Sequence, residues 1–130
     1  MCEKCDSHLV KEHLLPLLGR SITTERNVLL KVEGFEPGNS SIILRRETGR
    51  EFRIIVWDTG VSESLARAHS FLHHGGTIEG IHIPNDNSLW SRFSREHPDY
   101  LYAILKTFHD VEVNDKRAIL KLKEQSVPCL

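Results

Sequence analysis

The sequence predicts an α+β domain in which a three-stranded antiparallel meander is extended to a mixed sheet, flanked by packed helices and followed by a C-terminal β-hairpin. The first observation behind this is strict alternation between residues 28 and 57. Val28, Leu30 and Val32 alternate with Leu29, Lys31 and Glu33; Ile42 and Leu44 with Ile43 and Arg45; Phe52, Ile54 and Val56 with Arg53, Ile55 and Trp57. Successive side chains of a strand point to opposite faces, so one face is wholly apolar and the other carries Lys31, Glu33, Arg45 and Arg53. The second observation is helical spacing of apolar residues on either side of this region. The third is a return to strand-like alternation at residues 77–83 and again at 111–122.

In chain order, residues 7–18 place Leu9, Val10, His13, Leu14, Leu17 and Leu18 three and four apart, an amphipathic helix that Pro16 ends or kinks. In the second hairpin of the meander, a turn at Thr48-Gly49-Arg50 sets Leu44 opposite Ile54, Ile42 opposite Val56 and Arg45 opposite Arg53. Two arginines across a ladder repel, so a carboxylate such as Glu33 or Glu47, or a bound anion, is expected beside them. After the loop Asp58-Thr59-Gly60, Ser62 caps a helix running to His74, with Val61, Leu65, Ala68 and Leu72 on its apolar stripe and Gly75-Gly76 stopping it. Residues 77–83 form a strand that joins the meander by a right-handed crossover if it runs parallel to its neighbour. Leu89, Trp90 and Phe93 lie on a short helix, and Pro98 opens another whose face is Leu101, Ile104, Leu105 and Phe108. Asn114-Asp115 turns the final hairpin, with Glu112 facing Arg117.

The chain has 130 residues, 39% of them hydrophobic, which suffices for one core, so residues 1–130 are read as a single domain with frayed ends at 1–6 and 124–130. Seventeen basic and eighteen acidic residues give a net charge of −1, and no global field points to nucleic acid or a membrane surface. Nucleic acid would have to be held by a local patch. No apolar run is long enough to cross a bilayer. The opening Met-Cys-Glu-Lys-Cys-Asp has no apolar signal core, and three cysteines suit a reducing compartment, so a cytoplasmic protein is expected.

Several constellations are candidates for chemistry. Cys2, Cys5 and His8 have the close spacing of half a zinc site, for which Cys129 is a fourth donor. His69 and His73 lie one helical turn apart and can share a metal edge, with His82 as the nearest further imidazole in sequence. Zinc or another divalent metal is thus the only cofactor expected. His109-Asp110 has the form of the His-Asp phosphohydrolase pair, but it falls where a helix gives way to a strand and is set aside. No phosphate loop or serine-hydrolase elbow is present. The densest cluster is basic: Lys31, Arg45 and Arg53 share a sheet face with Trp57, which together offer bidentate donors and a stacking surface for phosphate or carboxylate.

The order helix, three-strand meander, helix, strand over residues 7–83 is similar to the core of restriction-endonuclease-like nucleases. That resemblance implies an acid-x-Lys pair on the third strand, at Glu51-Phe52-Arg53, with arginine where the lysine belongs. The leading expectation is a small binding or regulatory protein, an inhibitor or accessory subunit, that holds an acidic protein surface or phosphate-bearing ligand through Lys31, Arg45, Arg53 and Trp57. The alternatives are a metal-dependent phosphodiester hydrolase using Glu33 and Glu51, with His69 or His73 near the metal, and a zinc-stabilised adaptor built on Cys2, Cys5 and His8.

Overall fold

The computed structural model describes residues 8–57, 64–82, 87–93 and 97–123. It is an α+β structure with two antiparallel sheets. The meander is there, with one strand more than the alternation indicated: β1 (Ser21–Thr23), β2 (Leu29–Phe35), β3 (Ser41–Arg46) and β4 (Glu51–Ile55) lie in the order β1-β2-β3-β4. A smaller sheet contains β5 (Ile78–Glu79), β6 (Val111–Asn114) and β7 (Ile119–Leu122) in the order β5-β7-β6. The strand expected at 77–83 therefore does not extend the meander. Only Ile78 and Glu79 are in strand, and they pair antiparallel with Leu120 and Ile119. Gly80, with φ 91°, turns the chain away directly afterwards, so the run is too short for a crossover strand. The nuclease-like topology loses its defining strand with it.

Alternation along the meander buries one face as the sequence requires. Leu30, Val32, Ile42, Leu44 and Ile54 are buried, while Lys31, Arg53 and Ile55 face solvent. The hairpin register differs from the expected one by two residues. Ile42 lies opposite Ile54, Leu44 opposite Phe52 and Arg45 opposite Glu51. The loop is Glu47-Thr48-Gly49, closed by Arg46 N–H to Arg50 O at 2.9 Å and Gly49 N–H to Arg46 O at 2.9 Å. Gly49 has φ 90°, the left-handed conformation such a three-residue loop demands. A shift of two keeps every side chain on its face, and here it replaces an arginine pair with opposite charges. In β2 the register shifts between Val32 and Gly34, so Glu33 is the extra residue of a β-bulge. The bulge reverses the alternation after it and turns Phe35 toward the core, opposite Ile42.

The helices complete one buried cluster. The segment read as a single amphipathic helix is a π-helix, Leu9–Leu14, followed by a 3-10 turn, Leu15–Leu17, that contains Pro16. Helix α1 (Leu65–His73) is capped by Ser64, whose Oγ accepts from Arg67 N–H at 3.2 Å; Ser62 lies outside the described residues. Ser88 caps α2 (Leu89–Arg92) in the same way, and Pro98 opens α3 (Pro98–Leu105). Leu65, Ala68 and Leu72 of α1 and Leu101, Ile104 and Leu105 of α3 join the inner face of the meander in the core. The final hairpin pairs Glu112 with Lys121 rather than Arg117, because its loop extends to Ala118, at φ 51°. Trp57, half-buried, donates its indole N–H to Gly38 O at 3.1 Å.

Truncation tests this division of faces. Leu44→Ala, at a fully buried position, should lower unfolding free energy by about 2–5 kcal/mol in urea titrations, whereas Ile55→Ala, 45% exposed, should change it by under about 1 kcal/mol. Equal losses at the two positions would contradict the assignment.

Candidate metal centre

The structure brings together four histidines from two separate segments of the chain. His8 and His13 come from the π-helix, His69 and His73 from α1, and their ligand atoms all lie within 4.8 Å of one another. In an α-helix, residues five apart are rotated by about 140°, which would separate His8 from His13. A π-turn bonds residue i to i+5 and winds more widely, so the two imidazoles share one side. His69 and His73 need no such device, because a spacing of four places them one above the other on an α-helix. The rings pack closely, with centroids 4.8 Å apart for His8 and His13, 5.5 Å for His8 and His69, and 4.3 Å for His69 and His73. Phe108 closes the cluster by stacking on His13 at 4.0 Å.

Asp110, at the entry to β6, supplies a carboxylate to this cluster. Its Oδ2 lies 3.0 Å from Nε2 of His8 and 3.0 Å from Nε2 of His73, and its Oδ1 lies 3.3 Å from Nε2 of His13. The Nε2 atoms of His8 and His13 are themselves 3.2 Å apart. His13, His69, His73 and Asp110 are all buried, and His8 retains about a third of its surface, with 32% of its side chain exposed. The Nε2 of His69 is buried with no hydrogen-bond partner. His109, next to Asp110, is largely exposed; its ring lies 5.1 Å from that of His13, and its Nε2 is 3.9 Å from Glu12.

Electrostatics follow from this burial. Desolvation is the largest influence on His69 and, with the charges of His73, His13 and His8, pushes its pKa down to about 3. Burial also lowers His73, against the opposing pull of Asp110. For Asp110, burial acts to raise the pKa. Hydrogen bonds from His13 and His8, with the charges of His13 and His73, outweigh it and hold the carboxyl well below the usual carboxylate range. Burial thus favours neutral imidazoles at His69 and His73, near an ionised Asp110 carboxylate, the protonation states in which these groups donate electron pairs to a metal.

The other sequence-derived candidates lie elsewhere. Cys2, Cys5 and Cys129 fall outside the described residues, so His8 is the one member of the proposed N-terminal zinc set that can be located. His82 is exposed and is not one of the four clustered imidazoles. Arg45 and Arg53 remain on one solvent-facing side, yet each is already engaged. Arg45 Nε is 3.1 Å from Glu33 Oε1, and its guanidinium also bonds Glu51 and Gly49 O. Arg53 Nε is 3.0 Å from Glu36 Oε1. Lys31 lies opposite Arg45 in the ladder. An anion arriving at this face must compete with three carboxylates. Glu33 and Glu51, the proposed catalytic acids, are spent on holding Arg45.

His13 and Asp110 are the residues that sequence reasoning missed. His13 was absorbed into the apolar stripe of an expected α-helix, and Asp110 was visible only as the neighbour of a histidine. No protein-family model, curated protein or solved structure matches the chain.

The pKa shifts give the centre a pH signature in chelator-treated protein. Between the ordinary histidine value of 6.5 and about 3, the unfolded chain binds a proton that folded His69 refuses, so stability falls as pH drops through this window. His73 acts in the same direction, and the stabilisation due to Asp110 is lost at still lower pH. Urea titrations should show a decline of roughly 1 kcal/mol per pH unit below about pH 6. His69→Phe should flatten it; a stability that stays level from pH 7 to 4 in the unsubstituted protein would contradict the described burial.

Proposed function

We propose that this protein is a metalloprotein that holds one divalent first-row transition-metal ion between His8, His13, His69 and His73, with Asp110 as a further donor. One observation carries the reading, which is the spacing of the donor atoms. Two donors each about 2.1 Å from one ion lie about 3.0 Å apart at right angles and about 3.4 Å apart at the tetrahedral angle. Three close contacts, His8 and His73 to Asp110 Oδ2 and His8 to His13, measure 3.0, 3.0 and 3.2 Å, spacings that donors around one ion take.

Hydrogen bonding alone accounts for the cluster poorly. His8 Nε2 carries at most one proton, yet it faces both Asp110 and His13 Nε2. The unpartnered Nε2 of buried His69 makes the shortfall worse, since a polar atom so placed costs about 1–3 kcal/mol. A shared cation satisfies all of these lone pairs at once. Nitrogen donors with one carboxylate suit zinc, iron, nickel or copper rather than magnesium or calcium. The ion would also tie together the π-helix, α1 and the start of β6, so binding and folding would be coupled. The metal-dependent hydrolase considered from sequence gains a different location under this reading, the imidazole cluster instead of Glu33 and Glu51.

Zinc added to chelator-treated protein should bind at one ion per chain by elemental analysis and raise the thermal midpoint by several degrees. His69→Ala and His73→Ala should each weaken zinc by more than about 100-fold, beyond the loss typical of an outer hydrogen-bond partner. Zinc lost entirely on dialysis of the unsubstituted protein, or bound equally by His69→Ala, would overturn the reading.

A further inference from the structure

We infer that the cavity beside the imidazole cluster binds a small phosphate monoester, with Arg20 as the charged anchor for its phosphoryl group. The site goes beyond the metal reading and needs no ion, because it is built from a different set of groups. The cavity measures about 290 Å³ and lies between the N-terminal helical segment, the start of β1 and the turn from α3 into β6. Small-molecule sites run from about 300 to 1,000 Å³, so this one suits a phosphoryl group carrying a single ring or a short chain.

Three groups on its wall can donate to an anion: Arg20, Ser21 and His109. Arg45 and Arg53 on the sheet face are held by Glu33, Glu51 and Glu36, whereas Arg20 forms no ion pair among the described residues. A guanidinium is a permanent cation whose paired N–H groups fit two oxygens of one phosphoryl group. The Ser21 hydroxyl makes no hydrogen bond among the described residues, and a neutral imidazole at His109 always carries one N–H. Thr107 also lines the cavity, but its hydroxyl already donates to Ile104 O at 2.6 Å. A phosphate monoester presents three acceptor oxygens to these three groups, where a carboxylate presents two.

The rest of the wall sets what the phosphoryl group carries. Leu17 and Ile22 are buried apolar side chains that border the cavity, so a ring or alkyl group placed there leaves water. Glu12 works against an anion. Its side chain is 57% exposed, so solvent screens much of its charge, and it lies 3.9 Å from His109 Nε2. That opposition gives the site a sign to read, because neutralising Glu12 strengthens the hold on an anion. His13 lines the cavity and also belongs to the imidazole cluster, so the ligand sits against the wall of the candidate metal centre.

Calorimetric titration of chelator-treated protein with phenyl phosphate tests this. Phenyl phosphate should bind saturably and more tightly than inorganic phosphate, while phenol at the same concentrations should not bind. Arg20→Ala should weaken phenyl phosphate by about 10-fold or more, the loss expected of charge-assisted hydrogen bonds, and Glu12→Gln should tighten it by roughly two- to five-fold. No saturable binding by the unsubstituted protein, or equal binding by Arg20→Ala, would overturn the site. Inorganic phosphate bound as tightly as phenyl phosphate would overturn the monoester assignment. Since no metal is added, a negative result here leaves the metal reading to its own zinc titration, and loss of that reading leaves this site intact.

Discussion

A single carboxylate, Asp110, meets three imidazole nitrogens at 3.0–3.3 Å and so joins the π-helix, α1 and the entry to β6. Apolar packing, which is indifferent to direction, also joins these three segments. Apolar packing would accept Leu or Phe at these positions. Four polar side chains buried in their place, His13, His69, His73 and Asp110, carry a solvation cost that only a specific set of partners offsets. The polar cluster is accordingly the most demanding part of the molecule, and its demands fix how closely the three segments approach.

Local departures from regular geometry aim side chains at both faces. The π-turn brings His8 and His13 to one side of their helix. The bulge at Glu33 sends Phe35 into the core, and Glu33 reaches Arg45. The loop ending in Gly49 sets Arg45 across from Glu51. The last two act on the solvent face, where ion pairs between exposed groups contribute about 0–1 kcal/mol each. The π-turn acts on buried groups, where misplacement costs several times more. Regularity is given up where an extra residue gains a partner.

Much of the fold was legible in the chain because period-two alternation and helical spacing report burial directly. The inner face of the meander, Leu30, Val32, Ile42, Leu44 and Ile54, was read correctly even though the hairpin register was off by two, since both registers preserve the same face. The strand at 77–83 was legible as a strand but not its partner, because alternation reports burial and not pairing, and Leu120 lies 42 positions after Ile78. The centre was half legible. His69 and His73 stand at α-helical spacing, and His8 stood out beside two cysteines. His13 looked like core because the π-turn is invisible to a reading based on 3.6 residues per turn. Asp110 was hidden because single acidic residues have no pattern at all.

The 102 positions separating His8 from Asp110 shape how the molecule must be made. While the chain is emerging from a ribosome, His8 waits in water without its carboxylate until a further 102 residues have appeared. Closing so long a loop costs little more entropy than closing a medium one, but it cannot start early. Assembly of this cluster therefore waits on Asp110, and a chain cut short before β6 emerges without it.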